Sequence, residues 1–445
     1  MVKMGRCRSE LISFFLGQLT IFFNLIYPPT PSMIKEISAY LQVFRSQKMA
    51  ALLFLGFASG LPLLLTSRTL QAWMTTEGVD LKSIGLFSLV ALPYSLKFLW
   101  SPLLDRYVPP FLGRRRGWIL IAQICLTLAI AAMAFQQPKQ SLELLAINAL
   151  LIAFFSATQD IAYDAYRTDI LEKWEMGAGV AIGVLGYRLA LILTGSIALI
   201  LADHEPWPLV YLFLAGLMAL TIIWSFFAPA TPPRDDHPQT LLEAVWLPFQ
   251  EFFQRYRFGQ GIGILAFIVL YRLGDALVNN MVTPFLLKTG FSQTDIGAIQ
   301  GGMGMIATMV GVLLGGSLLS RWGINRSLWI FGGLQAISNL AYFILANLGQ
   351  NYPFMVLAIN IENFCSGLGT AAFVAFLMSL CNARFTATQY ALLSSLMAFS
   401  RDILVAPAGV LAAAIGWQWF FLITVIAALP GLALLPLFAP WQEQN

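Results

Sequence analysis

The sequence predicts an all-α membrane protein with 12 transmembrane helices in two six-helix halves. Of 445 residues, 58% are hydrophobic and only 11% charged, and the mean hydropathy is +0.74, whereas a soluble domain carries about 25% charged residues. Apolar runs of about 20 residues recur between short polar connections, the length of helix that crosses a bilayer with every backbone group satisfied internally. The halves also echo each other. At an offset of 213 residues (399 minus 186), Gly186-Tyr187-Arg188-Leu189 aligns with Phe399-Ser400-Arg401-Asp402, and Ala178 with Ala391. Lys82-Ser83-Ile84-Gly85 pairs with Thr294-Asp295-Ile296-Gly297, one residue out of that register.

Residues 1 to about 40 break the pattern. Lys3, Arg6 and Arg8 precede an apolar run from Leu11 to Tyr27 and then Pro28, Pro29 and Pro31, like a signal peptide without a small-x-small cleavage site. We read 1–48 as an upstream extension or interfacial segment, with Met33 a plausible natural start. Regular spans follow at about 49–74, 82–104, 117–136, 144–171, 178–202 and 208–229, forming a six-helix bundle over 49–229. The polar TPPRDDHPQ and an amphipathic piece from Leu241 to Arg257, suited to a membrane surface, form a linker over 230–258. Six more spans, at about 259–288, 294–319, 326–348, 352–381, 387–412 and 416–440, form a second bundle over 259–440.

Charge orients the bundle. If the first span starts inside, thirteen Lys and Arg residues from Arg45 to Arg384 face the cytoplasm, against Lys82, Lys139 and Lys288 outside, as the positive-inside rule requires. Both termini and the linker are then cytoplasmic. Cys7, Cys125, Cys365 and Cys381 are scattered, without disulfide or metal spacing, and read as small core residues. His204 and His237 both lie in polar connections, so any proton coupling rests on carboxylates.

Ionisable residues inside spans are costly and mark pathways. The stretch SATQDIAYDAYRTDIL, Ser156 to Leu171, sets Asp160, Asp164 and Arg167 on one helical face, because spacings of four, three and seven residues coincide at 3.6 per turn. Asp160 lies about eleven residues from the end of its span, roughly 16 Å at the helical rise, which is near the midplane. In the second half Arg272, Asp275 and Asn279 share a face, as do Glu362 and Ser366. The proton-coupling candidates are therefore Asp160, Asp164, Asp275 and Glu362. Arg167 and Arg272 stand one turn from Asp164 and Asp275, which points to permanent pairs. Asp160, farther from Arg167 and beside a like charge, leads, followed by Glu362; the alternative is an acid with a purely structural hydrogen-bonding role.

The connection SPLLDRYVPPFLGRRRG, Ser101 to Gly117, resembles the signature between the second and third helices of the major facilitator superfamily. Asp105, Arg106, Gly113, Arg114 and Arg115 match it, while Ser101 stands where that family usually has Gly. The resemblance implies a major facilitator fold with the site between the halves. It also makes Asp105, Arg106, Arg114 and Arg115 gating residues, with Asp105 approaching the start of the eleventh helix near Thr386 to Gln389.

Denser matches run from about Leu53 to Pro430: GFASGLPLLLTSRTLQAWM, KFLWSPLLDRYVPP, ATQDIAYDAYRTD, GAGVAIGVLGYRL, ENFCSGLGTAAFVAFLMSLCN and FTATQYALLSS. They resemble the muropeptide permease (AmpG) family. That resemblance implies a bacterial inner-membrane symporter, driven by the proton gradient, that imports GlcNAc-anhydroMurNAc and its peptides for peptidoglycan recycling and, in some species, β-lactamase induction. Many relatives carry further C-terminal sequence, and the N-terminal extension is unusual.

Such a cargo presents carboxylates and two sugar rings, which call for guanidinium forks and aromatic faces. The arginines within spans are Arg68, Arg188, Arg272 and Arg401, each of which could instead serve an internal ion pair. Tyr163, Tyr187 and Tyr271, with Trp73 and Tyr94, are candidate ring platforms, and Asn279 a polar contact; most aromatic residues in such a chain simply pack. Carriers of other anions, such as acetyl-CoA or folate, would use buried arginines too. A membrane-embedded enzyme is disfavoured because no intramembrane histidine, metal cluster or nucleophile with a base is present. We expect no catalytic residue, metal or cofactor, no nucleic-acid partner, and a monomer in a lipid bilayer.

Overall fold

The computed structural model describes residues 46–79, 83, 87–232, 238, 240–399, 403–405 and 407–441. The N-terminal extension up to residue 45 and the candidate Arg401 with its neighbour Asp402 lie outside the described residues. Among those described, nine helices are long and apolar enough to cross a membrane. One of them, Gly297–Leu348, holds two of the expected spans, joined by a turn at Gly323 whose φ of 77° only glycine adopts without strain. The second and eleventh spans are not continuous helices. Pro93 and Pro102 remove backbone donors from the second, which proceeds as short pieces, Phe87–Ala91, Leu92–Leu96, Lys97–Leu99 and Ser101–Arg106. The eleventh runs Thr386–Phe399 and resumes after Pro407 as Ala408–Ile415.

The first span of each half is also broken near its middle. In the first, Pro62 lacks an N–H, and the hydroxyls of Thr66 and Ser67 donate back to the carbonyls of Pro62 and Leu63 at 3.2 and 2.9 Å, so the helix stops at Leu65 and restarts at Arg68. In the seventh, Phe258–Leu270 gives way to Leu273–Lys288, with Tyr271 and Arg272 at the joint. Broken helices put free backbone groups and polar side chains at mid-membrane depth, where a solute site can use them.

Each half has its own core. Trp73, Leu126, Ile152 and Tyr211 sit in the first, and Val278, Phe285, Tyr342 and Phe421 in the second. A small cluster of Ala181, Val312 and Ala371 packs the seam between the halves. Glycines allow the closest contacts. A Cβ on Gly186 would overlap the Leu53 carbonyl, so the first and fifth spans meet backbone to backbone; Gly177 and Gly316 do the same across the seam.

The helix linking the halves, Leu241–Tyr256, starts on a Thr240 cap whose hydroxyl accepts the Glu243 N–H at 3.1 Å. Ala244, Pro248 and Phe252 are buried on one face, while Leu242 and Trp246 are 78% and 65% exposed on the other. That helix lies beside the Ser101–Arg106 piece and the 380–389 turn, at what we call the basic end. Of the cysteines, Cys365 is buried, but Cys125 and Cys381 are only half-buried, so the core reading holds for one of the three described.

Candidate functional site

Two layers join the halves at the basic end. In the outer layer Asp105, at the end of the second span, receives the first turn of the eleventh. Its Oδ2 accepts the Thr388 N–H and Oγ1–H, both at 2.8 Å, and its Oδ1 accepts the Ala387 N–H at 3.3 Å. Arg115 donates to Asp105 at 2.9 Å and to Asp169 at 2.7 Å, and Asp169 in turn accepts the Thr386 hydroxyl at 2.7 Å. The side chains of Asp105, Arg115 and Asp169 are 0%, 1% and 6% exposed. Two carboxylates share one guanidinium here, and the unpaired N–H groups at the start of the eleventh helix supply the remaining positive potential. Arg114 donates to the Asp105 backbone carbonyl, at 3.4 Å. Arg106 lies over the Tyr107 ring at 5.4 Å.

One turn deeper, Arg167 donates to Asp164 at 2.8 Å and to the Tyr390 hydroxyl at 2.9 Å, lying against the rings of Tyr163 and Tyr390. Lys97, from the broken second span, stands 3.6 Å from Asp164. Asp164 is thus held by two cations. Asp160, one turn further in, accepts a hydrogen bond from Ser59 of the first span and has no salt bridge among the described residues. Beside it the side-chain amide of Gln159 is buried without a hydrogen-bond partner.

The second half carries its own polar cluster. Arg272, at the joint of the seventh span, donates to Asp275, to Thr370 at 2.8 Å and to Ser366 at 3.2 Å. Asp275 also accepts from Gln335 at 2.9 Å and from Asn279 at 3.0 Å, and sits in the first turn of the helix that follows the joint, where the dipole favours an anion. Asn279 reaches Glu362 at 3.4 Å, Asn363 donates to it at 3.2 Å, and the Asp275 carboxyl lies within its hydrogen-bonding reach; among the described residues no cation hydrogen-bonds to buried Glu362. Arg188 is half-buried on the fifth span, has no hydrogen bond or salt bridge among the described residues, and feels Arg272 and Asp275 of the opposite half through space. Tyr187 neighbours it. Arg68 is exposed at the bend of the first span.

The aromatic candidates divide differently from the expectation. Tyr163 is 4% exposed and donates to the Leu52 carbonyl at 3.1 Å. Tyr271 donates to the Leu328 carbonyl at 2.9 Å and stacks on Phe373 with centroids 5.4 Å apart. Trp73 is buried against Trp207 and Tyr211. These three rings are buried among side chains in this structure, whereas Tyr187 and Tyr94 are half-buried. Sequence reasoning passed over Lys97, Ser59, Asp169 and Tyr390. Lys97 had a signal, being a lone lysine in an apolar run; the others acquire meaning only from partners distant in the chain.

Comparison with known proteins agrees with this architecture. The Major Facilitator Superfamily family model matches residues 52–405. The chain is 50% identical over 400 residues to the anhydromuropeptide permease of Escherichia coli (strain K12), covering 89% of this chain and 81% of that one. It is 40% identical over 414 residues to an uncharacterized protein of Haemophilus influenzae, covering 91% and 97%. Among solved structures, the human organic anion transporter MFSD10 superposes with a TM-score of 0.66 at 16% identity, over 87% of this chain and 99% of that one. The proton:xylose symporter XylE bound to 6-bromo-6-deoxy-D-glucose gives 0.65 at 11% identity, over 91% and 96%. The named relatives are transporters, not enzymes, and the two solved structures bear on the fold alone. With the Asp105 and Arg115 loop, the two broken first spans and these matches in place, the chain belongs to the Major Facilitator Superfamily and, within it, to the muropeptide permease (AmpG) family.

Proposed function

We propose that the protein imports anhydro-muropeptides across the bacterial inner membrane by proton symport, for peptidoglycan recycling, with both termini and the basic end in the cytoplasm. The observation that carries the cargo reading is the half-buried Arg188, unpaired among the described residues and facing the Arg272–Asp275 cluster across the seam. An unpaired guanidinium at mid-membrane depth is costly and is satisfied by an anionic guest, here a stem-peptide carboxylate. The 50% identity to a protein named for this cargo supports the same reading. Asp160 is the proposed proton carrier, since among the described residues it has a hydroxyl partner and no salt bridge, whereas Asp164 and Asp275 are held by cations. Asp105 and Arg115 keep the cytoplasmic end shut in the outward-facing state.

Uptake of radiolabelled GlcNAc-anhydroMurNAc-tripeptide by proteoliposomes tests this. Accumulation should appear on imposing an inwardly directed proton gradient and vanish with a protonophore. Uptake that ignores the gradient removes symport, and absence of binding or uptake removes the cargo.

A further inference from the structure

We propose that Glu251, on the helix linking the halves, is a second lock on the basic-end gate. This deepens the gate reading above and rests on it. Glu251 receives three donors. Its Oε2 accepts from Arg255 Nη2 at 2.9 Å and from Gln389 Nε2 at 2.8 Å, and its Oε1 accepts from Asn382 Nδ2 at 3.0 Å. Gln389 lies one residue beyond Thr388, whose N–H binds Asp105, and is 4% exposed. Its amide also donates to the Pro248 carbonyl at 3.1 Å, while its Oε1 accepts the Asn382 N–H. Arg255 adds a bond to the Leu380 carbonyl at 2.9 Å. The linking helix thus clasps the turn from 380 to 389, the segment that presents its N–H groups to Asp105. Opening the gate requires this turn to leave Asp105, and the clasp resists that movement.

The clasp can also be released. Its helix ends at Arg257, whose φ of 55° and ψ of 153° are unfavourable for a non-glycine residue, so the joint to the seventh span is strained while the clasp is closed. Glutamate suits the task because each group around it is a donor, and a carboxylate accepts on both oxygens. Glutamine would turn an N–H₂ toward one donor. Since Asn382 alone faces Oε1, reversing that pair restores a matched contact: Glu251→Gln with Asn382→Asp puts the amide donor on residue 251 and the acceptor on residue 382.

The test places a reporter cysteine, Ser394→Cys, one turn beyond Tyr390 on the same helix face, in a background with the four native cysteines changed to serine. Inside-out vesicles are treated with a membrane-impermeant maleimide. Glu251→Gln and Asn382→Asp should each raise the labelling rate about tenfold, the effect of losing one charge-assisted hydrogen bond, and the double variant should return toward the parent rate. Rescue by the exchange assigns the change in labelling to this contact rather than to either substitution alone. If Asp105→Asn raises labelling and neither clasp variant does, the lock is wrong while the gate stands. If Asp105→Asn leaves labelling unchanged as well, the gate reading fails and the lock with it. A Glu251→Gln protein that does not reach the membrane leaves Asn382→Asp to decide on the same criterion.

Discussion

The carboxylate of Asp105 accepts both the backbone N–H and the hydroxyl of Thr388, each at 2.8 Å, across 283 residues of sequence. It is fully buried, and its other oxygen is occupied by Arg115. A charge held this way closes the two halves only while its geometry holds, because a buried carboxylate deprived of partners costs several kcal/mol.

Asp105→Asn should therefore favour opening at the basic end. The amide presents an N–H₂ to groups that are themselves donors and leaves Arg115 paired to Asp169 alone. The population open to the basic side should rise about tenfold or more, read as faster maleimide labelling at Ser394→Cys. Unchanged labelling would remove Asp105 from the gate.

Arg188→Lys should lower muropeptide uptake strongly while the protein still inserts. Lysine keeps the charge but loses the planar fork that holds a carboxylate through two parallel bonds. Arg188→Ala should bind still more weakly. Wild-type uptake by both variants, at equal membrane content, would take Arg188 out of the site.

Asp160→Asn should abolish proton-driven accumulation and leave exchange of labelled for unlabelled muropeptide intact. An amide keeps the hydrogen bond with Ser59 but cannot cycle a proton. Retention of both activities refutes the role, and loss of both indicates a structural acid.

Arg272→Ala should lower stability in detergent by about 3–5 kcal/mol, because Asp275 is left buried without its cation. The pair variant Arg272→Met with Asp275→Leu should recover most of that loss in thermal unfolding. A pair variant as unstable as the single change would show that the cluster is held by something other than the ion pair.

Gly186→Ala should disrupt packing of the first and fifth spans, since its new methyl group meets the Leu53 carbonyl, whereas Gly216→Ala in the sixth span meets nothing within 4 Å. Thermal unfolding should fall clearly for the first and stay level or rise slightly for the second. Equal effects would mean that the spans move apart easily.

The amino-acid order carried the spans well because hydrophobic length is a local property, and it carried the 164–167 and 272–275 pairs because both lie one helical turn apart. The interruptions at Pro93, Pro102 and Pro407 were written in the sequence too, yet read as continuous spans, since an apolar run hides how proline divides it. What stayed illegible depends on distant partners. Asp169 needs Arg115, 54 residues away, and Arg167 needs Tyr390, 223 residues away. The hydroxyl bonds of Tyr163 to the Leu52 carbonyl and of Tyr271 to the Leu328 carbonyl also join residues far apart in the chain.

Gly177 and Gly316 meet across the seam with no side chain between them. A backbone-to-backbone bearing has no rotamers to unlock and no knobs to lift from holes, so tilting one half against the other meets little friction there. The time the carrier spends waiting in each state is then set at its ends, by breaking the polar contacts of Asp105, Arg115 and Arg167. Turnover should accordingly respond to changes in those bonds far more steeply than to the fluidity of the surrounding lipid.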